Sequence, residues 1–130
     1  MTAIRAAPDD GSVPTGQLLN DRELARYARR AGDRWPLEQA LVGGARVDDA
    51  RGVMPQRERG PEFVVVLVSE GFDGIPWLER VHQEAGIWDA DEMGAPAEVH
   101  CYTPVEFERK RDTLPILRWV SARGVPITDV

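Results

Sequence analysis

One run of six bulky apolar residues, Phe63 to Val68 (FVVVLV), constrains this chain more than any other feature. In an extended strand Val64, Val66 and Val68 point one way, and Phe63, Val65 and Leu67 point the other. Both faces are apolar, so the segment, opened by Glu62, is expected to be a central strand covered on two sides. It is also the longest apolar run in the sequence and is far too short to span a bilayer. Gly71 and Gly74 break it.

The rest of the chain arranges itself around that strand. Residues Met1 to about Gly16 hold Pro8, Asp9, Asp10, Gly11, Pro14 and Gly16, and read as a mobile tail of residues 1–16 ahead of a single domain, 17–130. Asn20 and Glu23 have capping-box spacing and open a helix expected to reach Ala31 and to end at Gly32. Leu24, Tyr27, Ala28 and Ala31 share its apolar face. Trp35-Pro36 marks a turn, and Gln39 to Gly43 a short strand. Gly44 to Gly60 is polar, rich in Arg, Asp and Gly, and without periodicity, so it is expected to be a long loop of functional or mobile character.

Past the central strand, the spacing predicts a helix from about Pro76 to Ala85 with Leu78, Val81, His82 and Ala85 on one face. A second strand is expected from Ala97 to Tyr102. Thr103-Pro104-Val105-Glu106 is a capping box with proline just inside the helix start, and that helix should run to about Arg111. Leu114 to Arg123 is the last helix, closed by Gly124. No internal repeat is visible. The order of helix, strand, loop, strand, helix, strand, helix, helix argues for a sheet with crossover helices.

Composition narrows the partners. With 130 residues, 42% apolar and 29% charged, the chain has the profile of one globular domain. Its net charge of −6 and lack of a Lys/Arg-rich block argue against direct nucleic-acid or anionic-membrane binding. A nucleotide, needing only a few placed groups, stays possible. Cys101 is the single cysteine, which excludes an internal disulfide and a cysteine-based metal cluster. The N-terminus lacks the basic-then-apolar pattern of a secretory signal, so a cytoplasmic location is expected.

Chemistry is concentrated on the second strand. Glu98, His100 and Tyr102 alternate with Val99 and Cys101, so one face carries a carboxylate, an imidazole and a phenol. If this strand neighbours the central one, Glu62 could face the same side. The alternative is that Glu62 and Glu98 are strand-end residues facing water, with His100 a half-buried partner. His82 is expected to pack on its helix, and Cys101 to be a buried, inert thiol. Asp89, Asp91 and Glu92 resemble a metal cluster but have the form of a solvated acidic loop. Trp77, Trp88 and Trp119 should fill the core or an interface. Gly43-Gly44 is too short to count as a phosphate loop without the rest of such a motif.

From about Leu18 to Ile127 the sequence resembles the minimal nucleotidyltransferases of the DNA-polymerase-β type. The likeness is carried by Val64 to Phe72 (VVVLVSEGF), Gly74 to Arg80 (GIPWLER) and, most specifically, Ala97 to Arg111 (AEVHCYTPVEFERKR). That family is similar in having an N-terminal helix, a strand ending in Gly-Ser, a strand opening Ser-Asp-x-Asp and a third carboxylate on a later strand. The chain departs from it at the catalytic positions. Gly44 stands for the serine, Glu62 for the first aspartate and Val64 for the second, while Glu98 maps onto the third carboxylate. The segment from Gly43 to Glu62 is also longer than in compact members.

The resemblance implies an α/β fold: a small mixed sheet with helices mainly on one face and an open cleft on the other. It also implies Mg²⁺ chemistry that these substitutions undercut. Family members hold two ions with three carboxylates, Mg²⁺ requires oxygen ligands in near-octahedral geometry, and valine cannot supply one. The expectation is therefore a nucleotidyltransferase-fold protein with an eroded two-metal site that binds a protein partner, a second copy of itself or a small ligand. No cofactor is expected, Mg²⁺ being implied only if nucleotidyl transfer persists. The alternative is an enzyme, with residual transfer or a metal-independent acid/base reaction. Candidate catalytic residues are Glu62, Glu98 and His100, and candidate ligand-binding residues are Gly43, Gly44, Arg46, Arg51 and Tyr102.

Overall fold

Phe63–Val68 forms strand β2, and every one of its residues is buried. The computed structural model describes residues 19–52 and 60–127; the expected tail of residues 1–16 and the 53–59 part of the expected loop lie outside them. Strand β1 (Gln39–Gly43) pairs antiparallel with β2, from Gln39 opposite Val68 to Gly43 opposite Val64. On the other side β3 (Ala97–Tyr102) runs parallel to β2, with Val64 opposite Glu98 and Val66 opposite His100. A short β4 (Val125–Pro126) pairs antiparallel with β1, giving the order β3-β2-β1-β4. β2 is central, as its two apolar faces require. The sequence pattern does not reveal β4, because two residues carry no periodicity; its proline stands on an edge strand, where a missing N–H is tolerated.

Helix α1 (Asp21–Arg34) is capped by Asn20, whose side chain accepts from the Glu23 amide at 3.1 Å. It passes through Gly32 instead of ending there. The stop is Trp35, which is extended because the following Pro36 disfavours helical backbone before it. The segment expected to be loop from Gly44 contains a helix, α2 (Ala45–Ala50). Its first amides find partners in the chain entering β2, Ala45 N–H donating to Pro61 O and Arg46 N–H to Glu62 O. Val47 and Ala50, one turn apart, are buried. That spacing is legible in the sequence but too brief to stand out from the polar residues around it.

Helix α3 (Trp77–Ala85) crosses from β2 to β3 and departs from the expected amphipathicity. Leu78 is 79% exposed and His82 is also exposed, whereas Arg80 and Glu84 are buried. Tertiary partners override side-chain polarity here. A short helix α4 (Ala90–Met93) follows, with Asp89 accepting from the Glu92 amide as its cap. The run Asp89, Asp91, Glu92 is therefore partly capping chemistry, and Glu92 Oε1 accepts from Asn20. Helix α5 (Pro104–Lys110) carries the expected capping box, Thr103 and Glu106 bonding reciprocally. Helix α6 (Pro115–Arg123) ends before Gly124.

Two hydrophobic clusters lie on the two faces of the sheet. The larger joins Phe63, Val65, Leu67, Val99 and Cys101 to the apolar faces of α1 and α2, with Val81 and Ala85 of α3 at its margin. The smaller joins Val64, Val66, Val68 and Tyr102 to Phe107 of α5 and to Leu117 and Val120 of α6. The second face is only partly covered: β3 leaves the Glu98 side chain 51% exposed there. No helix among the described residues is long and apolar enough to cross a membrane.

Candidate functional site

Strand alternation puts Glu98, His100 and Tyr102 on one face of β3, and hydrogen bonds link them into one line. His100 Nε2 lies 2.7 Å from Glu98 Oε2, and His100 Nδ1 lies 3.1 Å from the Tyr102 hydroxyl. With a neutral imidazole, Nε2–H donates to the carboxylate and Nδ1 accepts from the phenol. Exposure falls along the line, from the half-exposed Glu98 to the mostly buried His100 and the buried Tyr102. Burial raises the Tyr102 pKa, with Cys101, Glu106 and Glu98 adding to it. The phenol therefore stays protonated and works as a hydrogen-bond donor.

Aromatic packing fixes this line. Trp77, from the first turn of α3, approaches His100 edge-on with centroids 6.1 Å apart and Tyr102 at 5.2 Å. Phe107 lies 6.4 Å from Tyr102, and the Lys110 ammonium stands 5.8 Å from the same ring. Arg80 secures α3 behind them: its Nη1 donates to Glu106 Oε1 at 2.8 Å and to Cys101 O at 3.2 Å, and its Nε to Ile75 O at 2.8 Å. Arg80 holds the Glu106 carboxyl below its ordinary pKa. Sequence reasoning misses Arg80, because its partners Cys101 O and Glu106 lie more than twenty residues further along the chain and no local pattern marks it.

The other candidates are placed differently. Glu62 forms an ion pair with Arg46 at 2.7 Å, and Arg46 also donates to Gly94 O. The register sets Val64, not Glu62, opposite Glu98. Glu62 thus stands just ahead of β2 and Glu98 on β3, and the two acids are held by different partners. Val64 itself is fully buried. Gly44 adopts φ 110°, and a Cβ there would lie 2.6 Å from Glu62 O and 2.8 Å from Phe63 Cα, so only glycine fits. At Gly43 a Cβ would lie 3.1 Å from Val120 Cγ2, because α6 packs against this strand end. Arg51 donates to Arg123 O and Gly124 O, tying the end of α2 to the end of α6. Asp48 adds to that junction by accepting from Trp119 Nε1 at 3.2 Å. Among the described residues, no group of three or more His, Cys, Asp or Glu side chains is placed to hold a metal ion.

On the opposite face of β3, Cys101 is fully buried, and burial pushes its thiol up to about 12, as expected of an inert cysteine. Beside it lies Glu84, fully buried, with neither carboxylate oxygen hydrogen-bonded among the described residues, and desolvation raises its pKa to about 7. Nothing in the sequence pattern singles this residue out.

The sequence matches no family model and no curated protein. A solved structure of a Sulfolobus solfataricus protein, described as a candidate nucleotidyltransferase, is similar to this chain with a TM-score of 0.52 and 13% sequence identity, covering 91% of this chain and 90% of that one. At that identity the likeness is one of fold. The chain has a nucleotidyltransferase-like α/β fold.

Proposed function

We propose that this protein uses a nucleotidyltransferase-like fold for binding and not for two-metal nucleotidyl transfer. The observation that carries the reading is the state of Val64. In the resemblance it occupies the position of a metal-ligating aspartate, and here it is fully buried in a cluster with Leu117 and Val120 of α6. Mg²⁺ needs oxygen donors at that point, and the residues present do not fit it: one donor position is aliphatic, and Glu62 is engaged by Arg46. The close approach of Val120 to Gly43 supports the same reading, since this strand end is where the family's phosphates would lie. No step through a metal follows.

The surface for binding is the open part of the second face, with Glu98, His100 and Trp77. Its occupant is a protein partner, a second copy of the chain or a small ligand, a nucleotide included. The acidic balance disfavours direct nucleic-acid contact, and a cytoplasmic setting accords with these features. Thermal melting with ATP and Mg²⁺, added separately and together, tests the reading. A ligand at about 100 times its dissociation constant stabilises by about 2.7 kcal/mol. The expected result is no Mg²⁺-dependent shift with ATP. A shift that needs both and disappears in Glu62→Ala and Glu98→Ala would restore nucleotidyl transfer.

A second reading is favoured by one specific observation, the hydrogen-bonded line Glu98–His100–Tyr102. A carboxylate that orients an imidazole is the usual support for general acid/base work. On this reading His100→Ala abolishes a metal-independent activity while the domain stays folded; full activity in that variant removes His100 from any mechanism.

A further inference from the structure

Glu84 is a buried ionisable group that the binding surface does not use. It sits in the last turn of α3, fully buried, and neither carboxylate oxygen has a hydrogen-bond partner among the described residues. The groups facing it come from three elements. From α1, the buried Tyr27 donates its hydroxyl to the Glu84 backbone oxygen, not to the carboxylate. Arg34, at the end of α1, lowers the carboxyl pKa through its charge while its guanidinium donates to Gln83 Oε1. Trp35 lies beside the carboxyl: its buried indole N–H makes no well-formed hydrogen bond, yet its approach, like the charge of Arg34, lowers the carboxyl pKa. From β3, the buried Cys101 offers a neutral thiol. On α3 itself, Arg80 is committed to Glu106, Cys101 O and Ile75 O, and His82 faces solvent.

A carboxylate in such a place is costly when charged and far less so when neutral, because burial strips its water and the poorly placed Trp35 N–H only partly replaces it. The same short helix carries Trp77 at its other end, packed on His100 and Tyr102. We propose that Glu84 is a proton-operated latch: as a neutral acid it keeps α3 seated between α1 and β3, and loss of its proton loosens α3 and, through Trp77, the packing over His100 and Tyr102. Desolvation sets the poise near neutrality, so modest changes in pH would alter the site. The latch adds regulation to the surface proposed above, but it acts on the fold itself and holds whatever that surface binds.

The test is ¹⁹F NMR of the full chain labelled with 5-fluorotryptophan, the signals assigned by Trp→Phe variants, from about pH 5.5 to about pH 8.5. Trp35 and Trp77 are expected to titrate together with a shared midpoint near 7, and both are expected to be flat in Glu84→Gln. A Trp77 titration that survives in Glu84→Gln overturns the latch. So does a Trp77 signal that stays fixed while Trp35 moves. A ¹³C carboxyl titration of Glu84 in the unaltered chain needs no variant to fold; a midpoint in the ordinary carboxylate range overturns the proposal directly. None of these outcomes depends on ATP or Mg²⁺, so failure here is separable from failure of the binding reading.

Discussion

Strand β3 carries ionisable residues on both of its faces, and the two sets are treated in opposite ways. On one face Glu98, His100 and Tyr102 bond to one another along the strand, and the charged end stays half exposed. On the other, Cys101 packs beside a Glu84 whose carboxyl is buried and, among the described residues, has no well-formed hydrogen bond. A carboxylate that keeps water and gains an imidazole costs the fold little. One that loses both must stay neutral or weaken the structure. The difference lies not in residue type but in what each helix brings to its face: α3 delivers Glu84 into the larger cluster, while the smaller cluster stops short of Glu98.

The largest expected effect tests whether the Glu98 face is core or cleft where it meets β2. Val64→Asp buries a carboxylate beneath α6 and should destabilise by roughly 3–5 kcal/mol in urea denaturation. A loss under about 1 kcal/mol would mean that this position reaches water, and the contrast between open Glu98 and sealed Val64 would fail. Next in size is Arg80→Met, which strands Cys101 O and removes the ion-pair partner of Glu106. A loss of about 2–3 kcal/mol is expected by the same measurement, since a buried hydrogen-bonded charge is removed. Little change would assign the seating of α3 to apolar contacts alone.

Glu84→Gln sharpens the other side. The folded-state pKa lies above the unfolded one, so this group's stabilising share is full at low pH and is lost as pH rises through about 7. Unfolding free energies should therefore show the unaltered protein weakening between about pH 5 and pH 8 relative to Glu84→Gln, by roughly 2–3 kcal/mol. Parallel pH profiles would remove Glu84 from the account. The smallest effect belongs to Glu98→Gln, expected to cost less than about 1 kcal/mol because its partnered carboxylate is half exposed. A larger loss would make the Glu98–His100 pair structural, which would erase the asymmetry between the faces.

Much of the architecture is legible in the chain alone. The run at β2, the Asn20 and Thr103 caps and the alternation in β3 each depend on neighbours within a few residues, and each stands in the fold where the pattern puts it. The elements that escape are α2, α4 and β4, pieces too short for periodicity to rise above their composition. Within the site, the common face of Glu98, His100 and Tyr102 follows from strand parity. The pairing of Glu62 with Arg46, the commitment of Arg51 to the end of α6 and the approach of Val120 to Gly43 do not, because each joins segments far apart in the chain.

By itself, then, the sequence determined that a strand apolar on both faces would lie at the centre of a sheet covered on two sides, and that β3 would offer acid, imidazole and phenol on one side. Those outcomes rest on local stereochemistry and on the period of the backbone. Tertiary structure alone decided that α3 would turn Arg80 and Glu84 inward and leave Leu78 in water, because Cys101 O and Glu106 supply Arg80 with partners that no local pattern encodes. Polarity sets a side chain's preference for water; the partners available after folding set whether that preference is met.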